Sequence, residues 1–162
     1  MLLVGYVVFA RLAELLLARR NTRRLLAKGG YEVGRGHYPL IVATHAAWIL
    51  AVAFLVPTDT SPKVYYLIPF IMLQVVRYWV ILSLGDRWTT RVIVLPGAAL
   101  VTHGPYRWLK HPNYLVVIGE IALLPLVFGA WKVALGFTVV NTAIIFYRVR
   151  IEETALEIGN EK

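Results

Sequence analysis

Polar and charged positions are bunched along the chain, and the apolar intervals between them are long enough to be read as helices crossing a bilayer. A spanning helix needs about 20 mostly apolar residues to cover a hydrocarbon core of roughly 30 Å. Gly36 to Thr58 contains no Asp, Glu, Lys or Arg. Val64 to Leu84 is apolar except for Arg77, and Tyr114 to Phe128 except for Glu120. Beyond the turn Gly129-Ala130-Trp131-Lys132, a further apolar run extends from Val133 to Tyr147. These last two runs are short and closely joined, the pattern of a helical hairpin. Met1 to Ala18 is just long enough to span, although it holds Arg11 and Glu14. No basic residue precedes it and no small-x-small site follows it, so it reads as a retained helix rather than a cleaved signal peptide. The pattern predicts an all-α fold, a polytopic membrane helix bundle of about five transmembrane helices with a C-terminal helical hairpin, forming one domain over residues 1–162.

Basic residues test that count, because Lys and Arg collect in alternate loops when spans are real. Arg19, Arg20, Arg23, Arg24, Lys28 and Arg35 follow the first run, Arg87, Arg91, Arg107 and Lys110 the third, and Arg148, Arg150 and Lys162 the fifth. The opposite side has only Lys63 and Lys132. This bias predicts an outside N-terminus, a cytoplasmic C-terminus and chemistry on the cytoplasmic face. Four spans, with the first helix lying in the interface as an amphipathic anchor, would keep the same loops inside.

Composition sharpens the picture. Of 162 residues, 59% are hydrophobic and 16% charged, against roughly 45–50% and about 25% in soluble domains. Both figures exclude an ordinary soluble domain, and this hydrophobicity excludes disorder. The absence of cysteine excludes a disulfide scaffold. The net charge of +8, on so apolar a chain, points to arginines flanking a membrane rather than to nucleic acid.

Two clusters carry candidate chemistry. In the stretch from Leu100 to Tyr114, Gly104-Pro105 signals a turn, and Pro112 suits the first turn of a helix whose N-cap is His111. Such a helix start favours a bound carboxylate or other anion. The alternative is an interfacial belt, with Tyr106, Trp108 and Tyr114 at headgroup level and Arg107 and Lys110 on lipid phosphate. The second cluster is Arg148, Arg150, Glu152, Glu153 and Leu156. Arg148 and Glu152, four apart, either form a solvated ion pair or provide an anion-binding arginine beside a carboxylate. The hairpin would return both clusters to one membrane surface, bringing Glu152 towards His111 and Tyr114.

Charged residues within the apolar runs are expensive and face the bundle or a wet cavity. Arg11 and Glu14 can neutralise each other, and Arg77 and Glu120 can pair or line a substrate cavity. His45 is expected to be a hydrogen-bonded structural residue. His37, His103 and His111 lack ligand spacing, which argues against zinc. The Gly-rich stretch from Gly29 to Tyr38 lacks the Gly-Lys-Ser/Thr ending of a phosphate loop and reads as a mobile entrance or lid.

Together, Leu100-Val101-Thr102-x-Gly104-x-Tyr106, His111-Pro112-x-Tyr114 and Arg148-x-x-x-Glu152-Glu153-x-x-Leu156 resemble the isoprenylcysteine carboxyl methyltransferase family. The resemblance covers roughly Gly85 to Leu156, the cofactor-binding half. It implies an integral membrane, multi-pass enzyme of the bacterial plasma membrane that uses S-adenosylmethionine on the cytoplasmic side. By motif, the cofactor pocket would comprise Ala98, Ala99, Leu100, Val101, Tyr106, His111, Pro112, Asn113, Tyr114 and Glu152. Arg148 would bind the methyl acceptor and, with Glu152, form the catalytic pair. The family often has histidine where Ala98 stands, leaving only backbone or packing there, and its Arg-His-Pro appears as Lys110-His111-Pro112. The implied acceptor is a lipophilic small molecule or prenylated substrate reached through membrane lipid. It is either an isoprenylcysteine-like carboxylate or the hydroxyl of a long-chain alkylpyrone or alkylresorcinol.

Two rivals come from other classes. Membrane steroid reductases use NADPH and share a His-Pro-Asn-Tyr segment, but there a glutamate closely follows the tyrosine, whereas Glu120 stands six residues beyond Tyr114. A small non-enzymatic transporter or scaffold would use Arg11, Glu14, Arg77 and Glu120 as a polar path.

Overall fold

The computed structural model describes residues 2–57 and 59–160, with side chains as far as Ala155, so the Leu156 side chain of the C-terminal motif lies outside the described residues. Five helices account for most of the chain: α1 (Leu2–Ala27), α2 (Tyr38–Leu55), α3 (Val64–Leu84), α4 (Pro112–Val127) and α5 (Trp131–Asn160). Three helical stretches, Arg35–Leu55, Val64–Arg87 and Trp131–Ala155, are long and apolar enough to cross a membrane. The protein is an all-helical integral membrane protein with one small addition, an antiparallel ribbon of β1 (Tyr31–Val33) and β2 (Val92–Val94).

α4 has 16 residues, roughly 24 Å of helix at 1.5 Å per residue. It is joined to α5 through Phe128, Gly129 and Ala130, and the two helices pack together. Gly129, at φ 75°, supplies the left-handed residue that turns the chain there.

α1 differs most from expectation. The helix continues nine residues beyond Ala18, so Arg19, Arg20, Arg23 and Arg24 are helical rather than part of a connection. Its buried positions are Val4, Val7, Ala10, Glu14, Ala18, Asn21 and Leu25. That spacing of three and four residues forms one stripe facing the bundle. Leu2, Phe9, Leu12 and Leu16 stand exposed on the outward side.

The stripe meets the bundle in layers. Val4 and Val7 join Trp48, Val52, Phe70, Ile121 and Leu124 in an apolar core. The next layer is ionic. Glu14 grips Arg77 through two oxygens, with Nε at 2.8 Å and Nη2 at 2.6 Å. Arg77 also reaches Glu120 at 2.8 Å, and Arg11 reaches Glu14 at 3.0 Å and Glu120 at 3.2 Å. Gln74 donates to Glu120 at 2.7 Å. Two arginines and two glutamates from three helices thus close a neutral ring, the arrangement in which buried charge is tolerable. His45 Nδ1 donates to the Ile41 carbonyl at 2.8 Å. Below the ring, Ala18, Val80, Ile81 and Trp88 form a second apolar cluster.

The Gly-rich stretch, expected to form a mobile entrance or lid, contains β1, which pairs Tyr31 with Val94, Glu32 with Ile93 and Val33 with Val92. Gly30 is required beside it: a Cβ there would stand 2.8 Å from the Leu25 carbonyl oxygen and 3.2 Å from that of Val94. Glu32 binds Arg91 at 3.0 Å and Arg35 at 3.3 Å, closing the connection against the segment after α3.

Candidate functional site

At the end of the bundle where α3 stops and α4 begins, residues 85–111 fold without long helix or strand. Gly85, at φ 51°, ends α3. Gly104, at φ 60°, opens a single 3-10 turn over Gly104–Arg107, and a Cβ there would collide with Ser83 Oγ. His111 then caps α4 and Pro112 occupies its first turn.

α5 passes the start of α4 with Arg148 and Glu152 one turn apart on the facing side. They do not pair directly among the described residues. The Tyr114 hydroxyl stands between them, accepting from Arg148 Nε at 2.8 Å and donating to Glu152. Arg148 also lies over the Tyr114 ring, 5.7 Å from its centroid. His111 stacks with the Tyr114 ring, with ring centroids 5.4 Å apart and an interplanar angle of 26°. Its Nδ1 lies 4.0 Å from Glu152, and its Nε2 3.5 Å from Glu153.

Two adjoining cavities share this cluster. The larger, about 600 Å³, is lined by Ala98, Leu100, Val101, Tyr106, His111 and Glu152, with Leu25, Arg87, Lys110 and Glu153 completing its polar and apolar ends. The smaller, about 150 Å³, is lined by Asn113, Tyr114, Arg148 and Glu152, with Trp88, Arg87, Arg91 and Lys110 around them. Arg87, Tyr106, Lys110, His111 and Glu152 belong to both walls. The larger volume falls within the roughly 300–1,000 Å³ of small-molecule sites.

Two residues of the sequence-based pocket stand behind its wall. Ala99 lines neither cavity, but its carbonyl accepts from Arg87. Pro112 is buried in the first turn of α4 and also lines neither. Ala98 reaches the larger cavity despite its small side chain. Sequence reasoning placed Lys110 and Glu153 in the two candidate clusters without assigning them to the pocket, and it did not select Arg87, Leu25 or the β2 residues Ile93 and Val94. Leu25 gives no sign until α1 is known to continue past its arginines.

Burial pushes the Tyr106 phenol above its ordinary value, and the nearby Glu152 charge pushes it the same way. Tyr106 is therefore held as a neutral hydroxyl, able to donate. The smaller cavity has four cations in its wall, Arg87, Arg91, Lys110 and Arg148, against the single carboxylate of Glu152. Such a wall favours an anionic guest.

Fold and site define a helical membrane protein with a two-part chamber at one end, one part mixed in charge and the other cationic. The family model for isoprenylcysteine carboxyl methyltransferases matches residues 65–158, and the chain belongs to that family. The chain is 38% identical over 160 residues to the uncharacterized protein YpbQ of Bacillus subtilis (strain 168), covering 96% of this chain and 95% of that one. It is 24% identical over 155 residues to an uncharacterized protein of Haemophilus influenzae, covering 93% and 90%. No solved structure matches at a significant level.

Proposed function

We propose that the protein is an S-adenosylmethionine-dependent O-methyltransferase that acts on a lipophilic, acidic acceptor at the cytoplasmic face of a bacterial plasma membrane. The observation that carries this reading is the Arg148–Tyr114–Glu152 cluster on the wall joining the two cavities.

The donor set of the larger cavity fits the cofactor. S-adenosylmethionine presents a carboxylate, an ammonium, ribose hydroxyls and a flat base. Lys110, Arg87 and the start of α4 suit the carboxylate. Glu152 and Glu153 suit the ammonium or ribose, Tyr106 can donate a hydrogen bond, and Leu25, Leu100 and Val101 provide an apolar face. Bound there, the cofactor supplies an electrophilic methyl group on a sulfonium.

The chain's own residues align the acceptor and exclude water. Arg148 would hold the acceptor's oxygen in the smaller cavity, its orientation fixed by the Tyr114 hydroxyl. A carboxylate arrives ionised, and an acidic hydroxyl of an alkylpyrone is kept ionised by the surrounding cations, so neither demands a dedicated base. The acceptor oxygen gains the methyl, and S-adenosylhomocysteine leaves. Positioning of this kind supplies much of the rate in a displacement of this type. An isoprenylcysteine-like carboxylate or the acidic hydroxyl of a long-chain alkylpyrone meets these demands directly, and an alkylresorcinol hydroxyl does so once its proton has passed to water, with the tail lying in the bilayer.

The five helices are read as five spans, with α4 and α5 as a hairpin. The pairing of Arg11 and Glu14 with α3 and α4 supports α1 as a full member of the bundle. Arginine placement supports the cytoplasmic orientation of the chamber.

Calorimetry on detergent-purified protein tests the proposal. Saturable binding of S-adenosylmethionine and S-adenosylhomocysteine, lost in Glu152→Ala, is expected. Binding of NADPH alone, or of none of the three to folded protein, would overturn it.

A further inference from the structure

Much of the wall of the smaller cavity is held by a part of the chain that lies outside the family match, residues 21–38. Asn21, on the buried stripe of α1, is only 1% exposed. Its Nδ2 donates to the carbonyls of Gly85 and Trp88, each at 3.0 Å. Both partners are carbonyls, so only a donor can occupy this position. Gly85 is the residue where α3 ends, and Trp88 forms part of the smaller cavity's wall. The Trp88 ring is held in turn by Arg77 of the ionic ring, 6.0 Å from its centroid.

The next turn of the wall is gripped in the same way. Tyr38 shares a hydrogen bond with Thr90 at 3.1 Å, and its ring lies under Arg91 at 4.8 Å. Glu32 binds the same arginine at 3.0 Å. Apart from Arg77, every one of these grips on residues 85–91 comes from residues 21–38, ahead of the family match, which begins at residue 65.

We propose that Asn21 is a positioning residue that fixes Trp88 in the acceptor wall, and that residues 21–38 select which acceptors fit. This rests on the reading of the smaller cavity as the acceptor site. An acceptor of different girth would be accommodated by changing this grip, while the Ala98–Thr102 side of the cofactor cavity, which these grips do not touch, stays as it is. A chain with the same Tyr114, Arg148 and Glu152 could thereby serve another substrate.

The test compares Asn21→Leu, which keeps the shape but cannot donate, with Tyr38→Phe, which removes one oxygen. The full chain is used in detergent, with N-acetyl-S-farnesylcysteine and a long-chain alkyl hydroxypyrone as acceptor probes. In Asn21→Leu, amide exchange should accelerate over residues 85–94 and stay unchanged in α3 and α4. The acceptor KM should rise about 10-fold with kcat nearly constant, and cofactor affinity, to which the same segment contributes through Arg87, should fall by clearly less, about 3-fold at most. Tyr38→Phe should shift KM in the same direction by about 3-fold, and it serves if Asn21→Leu does not fold. Unchanged exchange over residues 85–94, an unchanged KM, or a parallel loss of cofactor and acceptor binding would overturn the proposal. Failure of the wild type to bind S-adenosylmethionine would instead sink the methyltransferase reading. The exchange measurement would still decide whether Asn21 holds the wall.

Discussion

Arg148 and Glu152 stand one helical turn apart on α5, yet the hydroxyl of Tyr114 from α4 separates them, accepting from the arginine at 2.8 Å and donating to the carboxylate. A spacing of four commonly yields a weak surface ion pair. Here the phenol keeps cation and carboxylate apart, so each retains capacity for a ligand while its orientation is fixed. Losing a hydrogen bond to a charged group costs about 1.5–3 kcal/mol. Glu152→Gln should therefore weaken S-adenosylmethionine binding about 10-fold or more, as read by calorimetry.

Arg148 should behave differently. Arg148→Ala is expected to lower kcat/KM for an acidic acceptor about 100-fold, with cofactor affinity nearly unchanged. Arg148→Lys should recover only part of the loss, because an ammonium cannot reproduce the directed Nε bond to Tyr114. Steady-state kinetics on the two acceptor probes check both statements.

The ionic ring makes a non-additive prediction. Arg77→Met leaves Glu14 and Glu120 sharing only Arg11, and breaking a buried pair in this way costs about 3–5 kcal/mol. Arg77→Met combined with Glu14→Leu leaves Arg11 and Glu120 as a neutral pair and should recover much of that loss. Thermal unfolding in detergent, arranged as a double-mutant cycle, measures the coupling.

The sites where expectation and structure part have physical causes. α3 runs over the expected Val64–Leu84 because a long apolar stretch ends at Gly85. α1 continues past Ala18 because arginine is a good helix former and Asn21 and Leu25 keep the buried stripe in register. Its arginines lie inside the helix rather than at its end. β1 and β2 have three residues each, too short for an alternating pattern to show. His111, Tyr114, Arg148 and Glu152 could be singled out because polar residues at the ends of apolar runs are conspicuous. Leu25, Arg87 and Trp88 could not, since their place in the walls depends on how α1 and the ribbon pack.

Gly104 is expected to be intolerant of substitution. At φ 60°, with Ser83 against the space a Cβ would fill, Gly104→Ala should cost about 1–3 kcal/mol. Its effect should extend to cofactor affinity, because this turn leads into the wall bearing Tyr106. Unfolding temperature and calorimetry on the same variant check both effects.

Tyr106 predicts a pH dependence. Its phenol is raised above the ordinary 10.0 by burial first and by Glu152 second, so the folded state holds this proton more tightly than the unfolded chain. The resulting stability is complete below the ordinary tyrosine value and declines as pH rises above it. Tyr106→Phe should flatten that decline relative to the wild type, as read by unfolding midpoints across alkaline pH.

The central claim is methyl transfer in the two-part chamber. Its most direct measurement follows a labelled methyl group from S-adenosylmethionine into N-acetyl-S-farnesylcysteine or a long-chain alkyl hydroxypyrone, using membranes containing the wild type, Arg148→Ala or Glu152→Ala. Transfer by the wild type to at least one probe, with strong loss in both variants, is the predicted result. Equal transfer by all three proteins, or none by a folded wild type to any lipophilic acid or hydroxyl offered, would contradict the account.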